Sequence, residues 1–186
     1  MKPGGEVRII GGQWKRSKLP VANLPGLRPT PDRVRETLFN WLGQDMIGWH
    51  CADPFAGTGA LGFEAASRGA ASVLLGESSS LCIEVMQKNA ERLKATGIRL
   101  QRGDGLSMLR QQAPNSLDLV FLDPPYDFPH YDSALQSARA CLKPGGFVYL
   151  ESAKSWPADT LLVAGWHLHR HLKAGAVHAH LLQPAA

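Results

Sequence analysis

The fold class of this chain is determined by Cys51-Ala52-Asp53-Pro54-Phe55-Ala56-Gly57-Thr58-Gly59-Ala60-Leu61-Gly62. The first part, Cys51–Phe55, has the apolar character of a buried strand, and Gly57 and Gly59 allow a tight turn. A helix follows and is expected to end at Gly69. A strand, a glycine turn and a helix in succession form the repeating unit of α/β proteins.

The same alternation of strand and helix continues along the chain. Further strands are predicted at Ser72–Gly76, Ile98–Arg102, Leu117–Leu122 and Phe147–Glu151, and further helices at Leu81–Ala95, Leu106–Gln112 and Tyr131–Leu142. Repeated β-α units place the strands parallel to one another, with helices on both faces of the sheet. We therefore expect a doubly wound, mostly parallel, Rossmann-like sheet.

Both ends of the chain depart from this alternation. Trp166–Leu172 and Val177–Leu182 have the pattern of two antiparallel strands with a short turn between them, which predicts a C-terminal hairpin. Near the N-terminus, Val7–Ile10 is a short strand candidate. Thr30-Pro31 suits the start of a helix, with the threonine as the N-cap and the proline at the first helical position.

The glycine turn predicts a nucleotide-like cofactor without identifying it. Gly57–Gly62 matches G-x-G-x-x-G, and Glu77 lies 20 residues after Gly57, as a ribose-binding acid does in dinucleotide sites. Asp53, however, places a carboxylate at the tip of the first strand. That charge would repel a pyrophosphate, but it suits the ammonium group of S-adenosylmethionine.

Four acids follow four successive strands, and this spacing predicts a common site. They are Asp53, Glu77, Asp104 and Asp123. Ligands of an open α/β sheet bind at the carboxyl ends of its strands. We expect Glu77 to accept the ribose hydroxyls and Asp104 to accept from the adenine amine. The predicted cofactor-binding residues are Asp53, Phe55, Gly57, Gly59, Glu77 and Asp104.

Asp123-Pro124-Pro125-Tyr126 comes directly after the apolar strand Leu117–Leu122 and has the composition of an amine-binding turn. The acid can accept a hydrogen bond from an exocyclic amine, and the prolines stiffen the turn so that the Pro124 carbonyl becomes a second acceptor. The Tyr126 ring can stack on a base. These four residues are the predicted catalytic residues, and they suit guanine N2, adenine N6 or cytosine N4.

The positive charge of the chain is concentrated near its N-terminus. Eight basic residues stand against three acids in residues 1–43, whereas the rest of the chain sums to −1. This asymmetry predicts a polyanionic partner. We expect one domain, with a basic arm at 1–28 and a catalytic core at 29–186. The predicted RNA-binding residues are Arg8, Lys15, Arg16, Lys18 and Arg28.

Two further patterns limit the class of protein. No apolar run reaches the roughly 18 residues of a membrane span, and the N-terminal residues lack the apolar core of a signal peptide. A cytoplasmic location without membrane contact is therefore expected. His167, His169 and His171 alternate, so they share one face of a strand. We interpret them as the polar face of an edge hairpin and expect no metal.

The sequence resembles the bacterial small-subunit ribosomal RNA guanine-N2 methyltransferases of the RsmD type along essentially its whole length. The similar stretches are Arg8–Lys15, Leu27–Leu42, Phe55–Gly62 and Asp123–Tyr126. The resemblance implies a class I methyltransferase fold and S-adenosylmethionine bound by the glycine turn, Glu77 and Asp104. It also implies that Asp123–Tyr126 bind the target amine and that guanine N2 is the methylated atom. Two positions depart from the pattern, since Thr58 stands where serine is expected and Ser78–Ser80 follow Glu77.

The sequence therefore predicts an S-adenosylmethionine-dependent methyltransferase, acting as a monomer on ribosomal RNA or on the small-subunit ribonucleoprotein. A DNA adenine-N6 methyltransferase is an alternative that the same motifs allow. A nicotinamide-dependent oxidoreductase would explain the glycine turn but not Asp123–Tyr126. A non-catalytic RNA-binding module would leave the four strand-end acids without a role.

Overall fold

The core of the protein is a seven-stranded sheet, seen in a computed structural model that describes residues 5–185. Residues 1–4, which include Lys2 of the predicted basic arm, and residue 186 lie outside the described residues. The strands in chain order are β1 Glu6–Arg8, β2 Lys18–Pro20, β3 His50–Asp53, β4 Ser72–Glu77, β5 Ile98–Arg102, β6 Leu117–Leu122, β7 Leu142–Ser152, β8 Trp166–Ala174 and β9 Val177–Pro184.

The strand order β5-β4-β3-β6-β7-β9-β8 confirms the predicted doubly wound sheet with a C-terminal hairpin. Strands β3 to β7 pair in parallel, whereas β9 is antiparallel to both β7 and β8. The chain order reverses between β3 and β6, which are neighbours in the sheet. A crevice opens at the carboxyl ends of the strands at such a reversal, and ligands bind there.

Six helices cover the two faces of the sheet: α1 Asp32–Trp41, α2 Ala60–Ser67, α3 Ser80–Leu93, α4 Gly105–Arg110, α5 Tyr131–Cys141 and α6 Ala158–Val163. Helices α1 to α3 pack on one face around Phe39, Phe63 and Phe121. Helices α4 to α6 pack on the other face around Leu135 and Trp166. Each face therefore has its own apolar core, as the alternating inward and outward side chains of a buried sheet require.

Two elements, β2 and α6, were not predicted, and one strand is longer than expected. Strand β7 begins at Leu142 rather than at Phe147, because Leu142 already pairs with Leu117; Lys143–Gly146 then interrupt the register, with Gly145 at a φ of +78°. Helix α6 is only six residues long, and Leu161 is its single buried residue. A helix with so little apolar periodicity gives a weak sequence signal.

The N-terminal segment packs on the body of the protein. Strands β1 and β2 form a two-stranded antiparallel sheet, and Val7, Ile9 and Leu19 are buried in the same core as Phe39. On α3, the Asn89 amide donates to the Pro20 carbonyl at 3.0 Å. The division between an arm at 1–28 and a core at 29–186 stays a prediction, but residues 5–28 are not a free arm.

A buried ion pair fastens this segment to α1 and α2. The side chains of Arg35 and Glu64 are both fully buried, and Arg35 Nη1 lies 3.0 Å from Glu64 Oε2. Glu64 also accepts hydrogen bonds from the backbone amides of Ile10 and Gly11, at 3.0 and 2.8 Å. Arg35 donates to the Arg8 carbonyl as well. A buried ion pair is stable only where such additional hydrogen bonds satisfy both partners, and this one meets that condition.

The histidines of the hairpin stack across its two strands, with His171 of β8 against His178 and His180 of β9. A register shift between Leu168 and Arg170 interrupts the alternation of β8. His171, His178 and His180 stack with ring centroids 4.8 to 6.3 Å apart. His180 is fully buried, and its burial lowers the pKa to about 4.

None of the helices within residues 5–185 is long and apolar enough to cross a membrane.

Replacing Arg35 tests the ion pair. Arg35→Met should lower the free energy of unfolding by about 1–3 kcal/mol, because Glu64 Oε2 and the Arg8 carbonyl would lose their buried guanidinium donor, although Arg68 still pairs with Glu64 Oε1. Arg33→Met on the exposed side of the same helix is the matched control and should change it by no more than about 0.5 kcal/mol. Urea denaturation of both variants measures the difference. Equal losses would show that the pair contributes nothing specific.

Candidate functional site

A cavity of about 570 Å³ opens at the carboxyl edge of the sheet, where the strand order reverses. The predicted residues that line it are Asp53, Phe55, Gly57, Glu77, Asp104, Asp123, Pro124, Pro125, Tyr126 and Arg28. The predicted cofactor acids and the Asp-Pro-Pro-Tyr turn therefore share one cavity. Gly59 lies next to the lining, whereas Arg8, Lys15, Arg16 and Lys18 do not line it.

Glu77 holds the glycine turn in place. Its Oε2 accepts a hydrogen bond from the Gly57 backbone amide at 2.9 Å, and its Oε1 accepts from the Ser79 amide at 2.8 Å. The Ala56 amide donates to the Gly76 carbonyl at 2.9 Å. These bonds join the ends of β3 and β4, so the glycine turn and Glu77 form one rigid wall of the cavity.

Gly59 begins α2 in a conformation that few other residues could adopt. Its φ is +79°, and a Cβ atom there would lie 2.8 Å from Met86 Sδ and 3.0 Å from the Phe63 ring. Met86 and Phe63 are both buried. The glycine therefore serves two needs at once, a left-handed backbone and close contact between α2 and α3.

Asp53 is the most deeply buried acid of the cavity. It is 1% exposed, and its Oδ1 has no hydrogen-bond partner within residues 5–185. Burial raises the pKa of this carboxyl well above its usual value, and the nearby charges of Asp123 and Glu77 raise it further. A buried carboxylate oxygen without a partner is suited to bind a cationic group of a ligand, which would lower the cost of its burial.

Asp104 is exposed and caps α4. Its Oδ2 accepts a hydrogen bond from the Ser107 backbone amide at 2.8 Å, and this bond lowers the pKa of Asp104. One carboxylate oxygen is thus used by the helix, and the residue still lines the cavity. The second oxygen could make the expected contact with an adenine amine, and this contact stays a prediction.

Thr30 does not cap α1 as the sequence predicted. Pro31 occupies the cap position of this helix without a side-chain hydrogen bond, and the Thr30 hydroxyl donates to Asp123 Oδ2 at 3.3 Å instead. Thr30 is buried and lines the cavity. The tertiary contact with Asp123 wins over local capping, because the β6 turn offers a charged acceptor to the buried hydroxyl.

Glu151 is a site residue that the sequence analysis missed. It lies at the carboxyl end of β7, next to Asp123, which directly follows β6, because Leu122 pairs with Leu150. The carboxyls of Asp123 and Glu151 therefore lie side by side, and the Tyr149 hydroxyl donates to Glu151 Oε1 at 2.5 Å. Burial raises the pKa of both carboxyls, and the neighbouring charge of Asp123 raises that of Glu151 further. The signal was present, since an acid follows the apolar run Phe147–Leu150 just as acids follow the other strands.

The Asp-Pro-Pro-Tyr turn exposes an aromatic ring at the mouth of the cavity. Tyr126 is 81% exposed, whereas Pro124 is buried. The turn is closed by a hydrogen bond from the Phe128 amide to the Pro125 carbonyl at 2.9 Å. The Phe128 ring packs edge-on against Phe55, with centroids 5.1 Å apart. The Tyr126 ring is therefore exposed on a turn that is closed and packed against Phe55, and a planar ligand could stack on it.

The segment Leu24–Arg28 forms another part of the cavity wall that the sequence analysis did not foresee. All five of its residues line the cavity, and Leu27 Cδ1 would lie 3.3 Å from a Cβ atom on Gly57. Arg28 is exposed at this wall. The sequence places this segment in the basic arm, and its single proline and single glycine give no sign of a packing partner.

The other predicted RNA-binding residues lie on the surface away from the cavity wall. Lys15 and Arg16 are exposed, and neither forms an ion pair within the described part of the chain. Arg8 pairs with Asp32 at 3.3 Å, and Lys18 pairs with Glu6 at 2.9 Å. Lys15 and Arg16 therefore have the most freely available charges of the set.

Comparison with known proteins gives matches along nearly the whole chain. The family model described as Conserved hypothetical protein 95 matches residues 7–183. Ribosomal RNA small subunit methyltransferase D of Escherichia coli K12 is 41% identical over 184 residues, covering 98% of this chain and 92% of that protein. The Haemophilus influenzae protein of the same name is also 41% identical, covering 96% of this chain and 94% of that one.

Solved structures show the same fold. The Escherichia coli yhhF structure superposes with a TM-score of 0.82 at 41% identity, covering 98% of this chain and 99% of that chain. The Haemophilus influenzae HI0767 structure superposes with a TM-score of 0.80 at 36% identity and covers 98% of this chain and 100% of that chain. The similarity thus includes the N-terminal segment, the cavity and the hairpin.

Replacing Gly59 tests the close packing at the start of α2. Gly59→Ala and Gly145→Ala both place alanine at a φ near +79°, which costs roughly 1–2 kcal/mol. A Cβ atom on Gly145 meets nothing within 4 Å, so Gly145→Ala is the matched control. Gly59→Ala should lose about 1–3 kcal/mol more, because Met86 and Phe63 leave no space. Equal losses in thermal or urea unfolding would show that these side chains simply move aside.

Proposed function

The chain belongs to the family that contains the small-subunit ribosomal RNA methyltransferases D, and we propose that it transfers a methyl group from S-adenosylmethionine to the exocyclic N2 amine of a guanine in 16S ribosomal RNA. The substrate is the RNA itself or the small-subunit ribonucleoprotein. The proposal includes a monomeric enzyme that acts in the cytoplasm.

One observation carries this proposal. A single cavity contains both the partnerless oxygen of buried Asp53 and the turn from Asp123 to the exposed ring of Tyr126. The first feature suits a cationic cofactor, and the second suits a planar amine. Methyl transfer requires these two ligands to meet, and proximity of two reactants in one cavity supplies a large part of such catalysis.

The side of the cavity formed by the glycine turn and the strand-end acids, the cofactor wall, binds S-adenosylmethionine. Asp53 binds the ammonium group, and Glu77 binds the ribose hydroxyls with the lone pairs that its backbone bonds leave free. Asp104 accepts from the adenine amine, and Phe55, Gly57 and Gly59 shape the wall. S-adenosylmethionine, when bound, supplies an electrophilic methyl group. An adjacent buried carboxylate argues against a pyrophosphate at this turn, and thus against a nicotinamide cofactor.

The amine wall orients the nucleophile. Asp123 and the Pro124 carbonyl accept the two amine protons, and this pair of acceptors favours the pyramidal nitrogen whose lone pair can attack. Pro125 keeps the turn rigid. Tyr126 stacks on the base, which must leave its helical stack to enter the cavity. Acceptors that face developing positive charge stabilise the transition state more than the ground state.

The surface cations extend the site toward the RNA backbone. Arg28 lies at the cavity wall, where it can contact a phosphate beside the target base. Arg8, Lys15, Arg16 and Lys18 are exposed on the N-terminal segment. Contacts of this kind position a nucleic acid without reading its sequence. The segment is packed on the body, so these charges are held in place and do not need to be ordered on binding.

Methyl transfer to isolated substrates tests the reaction. Incubation with labelled S-adenosylmethionine should label small-subunit RNA at a guanine N2, which nuclease digestion and mass spectrometry of the nucleosides identify. Asp123→Ala should lower the single-turnover rate by about 10²–10³-fold, on the scale of losing one preorganised contact to the transition state. Cofactor affinity measured by calorimetry should change much less.

Several substrates make this test decisive. Naked 16S RNA, assembled small subunits and duplex DNA should be offered in parallel. Labelling of DNA adenine instead of RNA would replace the proposed reaction with that of a DNA methyltransferase. A nearly normal rate in the Asp123→Ala protein would show that Asp123 is not a catalytic residue.

Tyr126 is expected to act through its ring. Tyr126→Ala should weaken binding of the RNA substrate by about 1–3 kcal/mol, the range for one base stacked on an aromatic side chain. Tyr126→Phe is the matched control and should bind like the parent protein, because it keeps the ring and loses only the hydroxyl. A large defect in the Phe variant would assign a role to the hydroxyl instead.

The salt dependence of RNA binding tests the surface cations. Replacing Lys15 and Arg16 with Ala should weaken RNA binding and lower the log–log salt slope by about 1.4–1.8, since each phosphate contact contributes roughly 0.7–0.9. Arg170 and Lys173 on edge strand β8 provide a control double variant. Equal slopes for the two double variants would mean that the N-terminal cations are not the RNA contact.

A further inference from the structure

Asp123 and Glu151 form a carboxyl pair at the end of two neighbouring parallel strands. Leu122 on β6 pairs with Leu150 on β7, so the two acids follow in register. Neighbouring strands lie about 4.8 Å apart, so the two side chains leave the sheet edge side by side, Glu151 buried and Asp123 half-buried. Two carboxyls this close and this shielded from water do not both ionise. The pair therefore carries one proton between its two carboxyls.

The groups around the pair favour retention of that proton. Asp53 adds a third acid at the neighbouring strand end, and the hydroxyls of Tyr131 and Tyr149 are the other titratable groups that face the pair. Ala179 lies across from Glu151 on β9 and is apolar. Arg35 donates to the carbonyl of Thr30, whose hydroxyl contacts Asp123, but the guanidinium of Arg35 is paired with Glu64 and Asp32.

The two members of the pair have different positions. Asp123 lines the cavity, whereas Glu151 is 8% exposed and lies behind it, outside the lining. The Tyr149 hydroxyl donates to Glu151 Oε1, and the Thr30 hydroxyl donates to Asp123 Oδ2. Two carboxylates in contact do not both ionise, and the one with less access to solvent keeps the proton. That residue is Glu151.

We propose that Glu151 is a positioning residue for methyl transfer: it carries the shared proton and donates it to Asp123, which thereby faces the substrate amine as an oriented, ionised acceptor. Thr30 and Glu151 then hold the Asp123 carboxylate from behind, and its remaining lone pairs point to the amine. This role rests on the proposed function and adds a residue to it that does not itself touch the substrate.

The pair also gives the proton of the product a place to go. The lone pair of the amine nitrogen forms the bond to the methyl carbon, and the electrons of the broken carbon–sulfur bond stay on sulfur. The methylated nitrogen is then positively charged and gives one proton to Asp123, keeping the bonding electrons. The pair now holds two protons, and one passes to water when the product leaves.

Two substitutions at one position test the donor role. Glu151→Gln keeps a hydrogen-bond donor toward Asp123 that does not titrate, whereas Glu151→Leu removes the donor at similar volume. In single-turnover assays near pH 7, the Gln protein should stay within about fivefold of the parent rate. The Leu protein should be slower by about 10–100-fold, by analogy with the loss of a residue that orients a metal ligand from behind. Affinity for S-adenosylmethionine should change by less than about twofold in both, because Glu151 lies outside the cavity.

The pH profile separates a shared proton from a merely structural role. Between about pH 7 and 9.5 the parent rate should fall as the pair loses its proton, whereas the Gln protein should keep its rate over the same range. Ionisation of the guanine affects both proteins equally, so it cancels in their ratio. Superimposable profiles overturn the proposal, and so does a Gln protein as slow as the Leu protein.

A measurement without turnover keeps this inference separate from the proposed reaction. In the full-length protein with ¹³C at the glutamate side-chain carboxyls, one resonance should report a protonated carboxyl at neutral pH and should vanish in Glu151→Gln. If the parent protein methylates none of the substrates, the proposed function fails while this resonance still decides the protonation of Glu151. Absence of the resonance overturns the inference whatever the activity.

Discussion

The buried ion pair between Arg35 and Glu64 is the interaction on which the candidate site depends. Glu64 lies on α2, which begins at the glycine turn, and Arg35 lies on α1, which follows Thr30. The same two side chains bind the backbone of Arg8, Ile10 and Gly11. One charge pair therefore fixes the distance between the cofactor wall, the threonine that contacts Asp123 and the N-terminal segment. Its loss would leave Glu64 with Arg68 alone and would remove the donor of the Arg8 carbonyl, so the N-terminal segment and α1 would lose their common attachment.

The acids at the cavity lower the stability of the folded protein. Three acids, Asp53, Asp123 and Glu151, lie at neighbouring strand ends. The charged groups that shift the pKa values of Asp53 and Glu151 are themselves acids, and they raise both values. Burial of like charges is unfavourable unless protons or ligands neutralise them. A cationic cofactor beside Asp53 and a methylated, positively charged amine beside Asp123 would both relieve this repulsion. The repulsion among these acids therefore favours the positive charge that develops during the proposed reaction. Transition-state stabilisation requires such a preference.

The surface around the cavity shows how a small protein can hold a large substrate. The exposed ring of Tyr126 stands at the mouth, and the Leu24–Arg28 wall brings a cation to the same opening. Arg8 and Lys18 lie on the two-stranded sheet, whose apolar side is buried in the core, and Lys15 and Arg16 lie in the connection between its strands. Preorganised charges lose less conformational entropy on binding than those of a flexible arm would. Packing of this segment thus contributes to stability and to the proposed RNA contact together.

The sequence by itself determined the doubly wound sheet, the glycine turn and the alignment of Asp53, Glu77 and Asp123 at one edge, because parallel strands bring their carboxyl ends together whatever the side-chain details. Only the tertiary structure decided which partners these groups have. Thr30 contacts Asp123 across 93 residues of sequence, and Glu151 joins Asp123 through strand pairing. Such contacts depend on which strand lies beside which and on which loop covers the edge. Local periodicity and capping preferences carry no information on either, and for that reason the cavity wall at residues 24–28 became visible only in the folded chain.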